Sequence, residues 1–440
     1  MNGVHMKPRF TVWSLKSAVA VAAVLVAAAL ALVRMPPTSR GVVWAEDGGI
    51  FLRDALQREG VLDIFAPYEG YLHVIPRFAA KSVVRFFRVD DYGLAMNLLS
   101  CVVVGIVALL VFHCSKAITT NVYARLGWAS ITIFVAPAPI ETLGNFANIH
   151  SYLLWLSLWL LVKPAKSRAE GAMLFTVALL VSLTEIVAVL FVPMFLWRFK
   201  ERGLWPARAG LALGLAMQFT TTILHPRSDN YTYPVDLLSV IVGWFVNTSS
   251  ALLYGGSAQI GVNIQNYGFW PPLIAAWAFA AVWIFILVKG NAQQRILGIV
   301  LVLASVAVWG STLILNFTPY FDYANFTQAQ WFSQFFVSRY STVPSMFLLS
   351  LLPLAALCGG LKSRQAAAAA LTALVVLQGA YFFPSGSARS GGPDWKQGVE
   401  QARTQCVENP SLGSSSVPIA PEGWLKGGLP VSCIVLRPTP

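Results

Sequence analysis

Between Trp44 and Arg77 the chain gathers Glu46, Asp47, Glu69 and His73 with Tyr68 and Tyr71. A partly desolvated carboxylate is a credible general base, so Asp47 and Glu46 are the catalytic candidates. The adjacent Gly48-Gly49 lets backbone approach a ligand closely. Asp47 has a plainer alternative, as the N-cap of a helix over 48–58. Trp44, Tyr68 and His73 suit sugar recognition, where rings cover apolar sugar faces and polar tips reach hydroxyls. An aromatic belt at the membrane interface would use the same tyrosines. Glu69 and His73, read as i and i+4 on one turn, could hold a divalent metal. Two ligands are a weak signal, and no metal site or other cofactor is assigned.

Cations complete the candidate site. Arg77, Lys81, Arg85 and Arg88 recur at helical spacing, which predicts a short basic amphipathic helix in the membrane interface. Either the cations simply anchor the helix to anionic headgroups, or Arg77 or Arg85 holds the phosphate of a lipid-linked substrate. Arg339-Tyr340 stands at the mouth of a late apolar segment, where a guanidinium fork would match phosphate oxygens. His225-Pro-Arg227 is a weaker version of the same arrangement. Glu141, Asn145, Asn148 and His150 lie between apolar segments, and Glu185 interrupts another, as a carboxylate facing a cavity or a cation would. There is no Walker loop, Rossmann glycine pattern, His-Glu-x-x-His or Gly-x-Ser-x-Gly motif, which argues against ATP-driven transport and serine hydrolysis.

The elements that must position these residues are membrane helices. Of 440 residues, 56% are hydrophobic and only 11% charged, against about 25% charged in soluble domains. The net charge of +12 marks cytoplasmic loops rather than nucleic-acid binding. An all-α polytopic membrane protein is expected, with about eleven transmembrane helices (10–12). They fall near 17–34, 92–112, 126–140, 150–162, 170–184, 186–198, 207–224, 271–288, 296–315, 340–358 and 366–383. The first is expected to stay uncleaved, because Arg34-Met-Pro-Pro offers no small-residue cleavage site.

Loop charges, from Lys7, Arg9 and Lys16 through Lys163 and Arg202 to Lys362 and Arg364, put the N-terminus in the cytoplasm. The first loop, 35–91, then lies outside, as do 225–270, 316–339 and the C-terminus. Residues 1–383 form the membrane unit. Residues 384–440 form a small external segment, in which Cys406 and Cys433 could pair in an oxidising compartment. The plasma membrane of a bacterium is the expected location.

This pattern resembles the GT-C superfamily of polytopic glycosyltransferases. The residues that carry the resemblance are Glu46-Asp47 after the first helix, the basic stretch Arg77–Arg88, and Arg339-Tyr340 before a late span. The family's common Asp-Asp or Asp-Glu pair stands here as Glu-Asp. The resemblance implies a polyprenyl-phosphate-linked sugar as donor and a glycan, lipid or protein hydroxyl as acceptor. It also implies inverting transfer outside the cytoplasm. Asp47 or Glu46 would be the base, with Arg339, Arg77 or Arg85 on the phosphate and Tyr68, His73 and Trp44 on the sugar. The competing expectation is a transporter or flippase that uses the same cavity without chemistry.

Overall fold

The computed structural model describes residues 10–227, 233–359, 364–384 and 386–437, with residues 10–16 by backbone alone. Lys7, Arg9 and Lys362, which the loop-charge argument used, lie outside the described residues. Apolar segments in lipid must satisfy their own backbone, and here they do so as helices. In chain order these are α1 (Phe10–Arg34), α2 (Val74–Phe86), α3 (Tyr92–Cys114), α4 (Val122–Phe134), α5 (Ile149–Val162), α6 (Arg168–Ser182) and α7 (Trp205–Leu224). Then follow α8 (Leu237–Tyr254), α9 (Ser257–Tyr267), α10 (Trp270–Lys289), α11 (Ala292–Leu315), α12 (Thr342–Leu349), α13 (Leu351–Ala355), α14 (Arg364–Ala380) and α15 (Trp395–Glu408). The strands among the described residues form two hairpins: β1 (Pro67–Tyr68) with β2 (Tyr71–Leu72), and β3 (Ser414–Val417) with β4 (Leu429–Ser432).

Five stretches are long and apolar enough to cross a bilayer: Ser17–Arg34, Val89–Ala117, Leu237–Tyr254, Trp270–Lys289 and Ala292–Leu315. Of the helices at other expected spans, α7 has 20 residues but falls outside this apolar set, and several are shorter. α4 has 13 residues, α5 has 14 and α6 has 15, below the ~20 of a single pass. Prolines account for several ends: Pro137 follows α4, Pro193 sits in the 3-10 segment Ile186–Leu196, and Pro353 lies within α13.

The expected external loop 225–270 is instead largely helical. α8 escapes a hydropathy reading because Asn247, Thr248, Ser249 and Ser250 break its apolar run, yet all four are fully buried. Asn247 uses its Oδ1 to accept from the Ser338 amide at 3.0 Å.

α5 is the centre of the packing. It is apolar on every side, as a helix enclosed by others should be. Trp155 and Trp159 are fully buried and contact each other at 5.2 Å between ring centroids. Trp128 of α4 and Phe347 of α12 pack on them at 5.1 and 5.3 Å. The indole of Trp155 donates to Thr132 at 2.9 Å, so this polar tip is satisfied inside the core.

The long connections meet at one end of this bundle. Arg34 at the end of α1 donates to the carbonyls of Ile133, Val135, Tyr381 and Phe382. Arg389 donates to Asn97 at 3.0 Å, to Gly144 at 2.8 Å and to Leu143. α15, β3 and β4 form a cap on the first loop. The Trp395 indole donates to the Val89 carbonyl at 2.7 Å, and Arg403 pairs with Asp90 at 2.7 Å. A Cys406–Cys433 disulfide closes the cap.

Candidate functional site

The first loop reaches its position through the cap. After Val43 the chain pairs with Ala420: the Ala420 amide donates to Val43 at 3.0 Å and the Ala45 amide donates back to Ala420. Ala45 is held at φ +30°, an uncommon conformation for a residue with a side chain. The π-helical turn Asp47–Leu52 follows at once. This kink sends the two neighbouring carboxylates in different directions.

Asp47 turns inward. It is 2% exposed, and its two oxygens accept from the amides of Phe146 at 2.9 Å and Ala147 at 2.7 Å. It ties the first loop to the loop before α5. Burial pushes its carboxyl up to about 7, against the two amides and Arg389, which favour the charged form. Glu46 faces a cavity of about 310 Å3 at this end of the bundle. Its Oε2 is buried with no hydrogen-bond partner among the described residues. Gly48 and Gly49 do make room for a close approach, but what approaches is the cap. A side chain at Gly48 would meet Ile419, and one at Gly49 would meet Trp424.

The opposite wall comes from β1 and β2. Glu69 and Gly70 sit at φ +50° and +83°, the two left-handed positions of a type I′ turn. A side chain at position 70 would stand 3.1 Å from the Arg227 amide. Gln218 of α7 accepts from the Leu72 amide at 2.7 Å and donates to its carbonyl at 3.1 Å, so α7 completes the hairpin edge. Tyr68, Tyr71 and His73 thereby line the cavity.

The helical spacing read for Glu69 and His73 does not apply in a hairpin. Glu69 lies 3.2 Å from Arg227, and the His73 Nε2 meets the Tyr68 carbonyl at 3.3 Å. Burial, and then His150 and Arg77, push His73 down to about 3, so the ring is neutral. No group of three His, Cys, Asp or Glu suited to a metal occurs among the described residues.

His150 of α5 and Glu185 close the floor. Glu185 accepts from the Val187 amide at 2.6 Å and from His150 Nδ1 at 2.7 Å. That leaves the imidazole Nε2 as the nitrogen without a protein partner among the described residues. Arg339 enters from the late loop. Its Nη1 lies 3.3 Å from Glu141 Oε1, and its guanidinium lies 5.4 Å from the Tyr340 ring centre. The side chain is 34% accessible although it is deep in the protein, because its exposed part faces the cavity. Burial works to lower its pKa, but Tyr340, Glu141 and Glu46 hold it above the ordinary arginine value.

The cavity therefore unites Glu46, Tyr68, Glu69, His73, Arg339 and Tyr340 of the expected site. Asp47, Trp44, Arg77 and Arg85 do not line it. Trp44 is buried beside Ala420 under the cap. Arg77 is inside the protein, donating to Asp54 at 2.8 Å and lying over the Phe51 ring at 5.8 Å. Arg85 is on the outer surface. The expected basic face is real as a helix, but its cations have different fates: Lys81 pairs with Asp63 at 3.2 Å, and Arg88 lies beyond the last turn.

Several lining residues carried little signal. Thr222, Thr312 and Asn316 are small polar residues at the ends of largely apolar helices. One side of the cavity passes between the ends of α7 and α11, at Thr222 and Thr312. There Leu315, the last residue of α11, both lines the cavity and is 68% exposed, so the cavity reaches the protein surface at this point.

No protein-family model matches the chain, and no curated protein or solved structure is significantly similar to it.

Proposed function

We propose that the protein is a multi-pass membrane glycosyltransferase of the GT-C kind. It would move a sugar from a polyprenyl-phosphate donor to an acceptor hydroxyl on the extracytoplasmic face. The observation that carries this reading is the pairing of an unpartnered carboxylate, Glu46, with Arg339 in one cavity that reaches the surface beside Leu315. Such an opening suits a head group that stays attached to a chain in the bilayer.

In this reading Glu46 takes the proton from the acceptor hydroxyl, whose oxygen attacks the anomeric carbon. The bond from that carbon to the phosphate oxygen breaks, and the phosphate leaves with the electron pair. Arg339 neutralises the growing negative charge, where a preorganised cation in a low-dielectric site is most effective. Tyr68 and Tyr71 flank the sugar. Neutral His73 is a poor general acid and orders the tyrosines instead, with ring centroids 5.6 and 4.2 Å away. Asp47 shapes the turn that presents Glu46. About eleven passes, with the short basic loops in the cytoplasm, agree with the positive-inside rule. The disulfide at the other end agrees with an oxidising compartment there.

The test is a transfer assay with purified protein and radiolabelled polyprenyl-phosphate sugars. Wild type should yield labelled product, and Arg339→Ala should lose at least about 100-fold, as for loss of one transition-state donor. A wild type that binds the labelled donor but makes no product would overturn the reading in favour of a transporter or flippase.

A further inference from the structure

The opposite end of the bundle holds a second feature. The connections that precede α6 and α7 lie side by side, with the Ala165 amide donating to the Gly203 carbonyl at 2.8 Å. Both helices start here, so both N-terminal ends point at one cleft of about 620 Å3. The helix dipoles add positive potential here, although the Glu170 amide is capped by the Ser167 hydroxyl and α7 opens with the Trp205 amide bonded to the Arg202 carbonyl and with Pro206, which has no N–H. Lys166, Arg168 and Arg202 stand on the rim, all exposed, and none makes an ion pair among the described residues. The nearby Glu170 gives one oxygen to Lys163 at 2.7 Å and His113 at 3.0 Å, and the other accepts from the Lys166 amide at 2.7 Å. No carboxylate lines the cleft.

Below the rim the cleft continues along α6 past Ala172, Phe175 and Thr176, with Pro206 of α7 opposite. Thr176 lies eight residues beyond Arg168, which is ~12 Å along a helix. Deeper still the two helices close: side chains at Gly210 and Gly214 would strike the Phe175 carbonyl and Ser182. The cleft thus has a cationic mouth and, along α6, an open and largely apolar groove in which Ala172 and Thr176 are exposed.

We propose that this cleft binds one anionic phospholipid. Its phosphate would sit among Lys166, Arg168, Arg202 and the α6 amides, and one acyl chain would lie along Ala172, Phe175 and Thr176. A zwitterionic headgroup would bring its own cation to a rim of three cations that make no ion pair among the described residues, so it is disfavoured. This inference needs the bundle to be membrane-embedded and is independent of the transferase reading.

The test uses the full chain purified in neutral detergent. Native mass spectrometry follows one-to-one adducts with phosphatidylglycerol or phosphatidylcholine. Phosphatidylglycerol should be retained over phosphatidylcholine, and Lys166→Gln/Arg168→Gln/Arg202→Gln should weaken it about 100-fold, the size expected for three cations acting on one anionic headgroup. Ala172→Phe keeps the cations and fills the groove, so it should also lose the lipid, which guards against misfolding of the triple variant. Equal retention of both lipids, an unchanged adduct in either variant, or full displacement by soluble glycerol phosphate at equal concentration would each overturn the proposal.

Discussion

Exchanging Glu46 and Asp47 one at a time for their amides separates the two carboxylates. Glu46→Gln keeps shape, and the lost oxygen had no hydrogen bond, since Oε2 is unpartnered. Its effect on stability should stay within about 0.5 kcal/mol. If Glu46 is the base, transfer should fall about 10²–10⁴-fold, a barrier increase of about 3–5 kcal/mol. Asp47→Asn reverses the pattern. One of the amides of Phe146 and Ala147 would then face an NH2 group, which costs about 1–3 kcal/mol for a buried unsatisfied donor. Transfer should change only a few-fold.

The stability gap also depends on pH. The folded Asp47 carboxyl titrates near 7, above its ordinary 3.8. The wild type should therefore lose up to about 4 kcal/mol as pH rises from about 4 to about 7, and level off above. Asp47→Asn lacks that loss, so its deficit is largest at pH 4 and shrinks towards pH 7. Thermal melting in detergent at pH 4, 5.5 and 8, paired with the transfer assay at pH 7, measures both parts. An Asp47→Asn protein that melts like wild type at every pH but is inactive, beside a fully active Glu46→Gln, would refute the reasoning.

Other parts of the structure give independent expectations. Asp54→Ala strands the buried Arg77 and should destabilise the protein by about 3–5 kcal/mol, whereas Asp54→Ala/Arg77→Met should recover most of that in a melting series. His73, held near 3 against an ordinary 6.5, contributes stability above pH 6.5 that is lost as pH falls towards 3. His73→Phe should flatten that acid limb of the melting curve. Cys406→Ser/Cys433→Ser opens a disulfide spanning 27 residues and should cost about 2–4 kcal/mol. Because Ala420 in the same cap holds the backbone before Glu46, transfer should fall with it, and adding a reductant to the wild type should reproduce both changes.

The membrane class and most helix positions could be read from the sequence, because a long apolar run in lipid has few alternatives to a helix. The late Arg339 and the first loop were legible for the same reason: charged and aromatic residues at the ends of apolar segments are few enough to single out. α8 was not legible, since its Asn-Thr-Ser-Ser stretch looks like a loop until packing is seen to bury all four residues. Which of two adjacent carboxylates faces the cavity was also beyond the sequence. That depends on one backbone kink at Ala45, and the kink is imposed by Ala420, far away in the chain. Likewise Arg77 reads as a phosphate ligand until Asp54 is seen beside it. The residue types and their place along the helices follow from hydropathy and charge. Where each side chain points follows from contacts between separate segments, some of them hundreds of residues apart, and only the folded chain decides those.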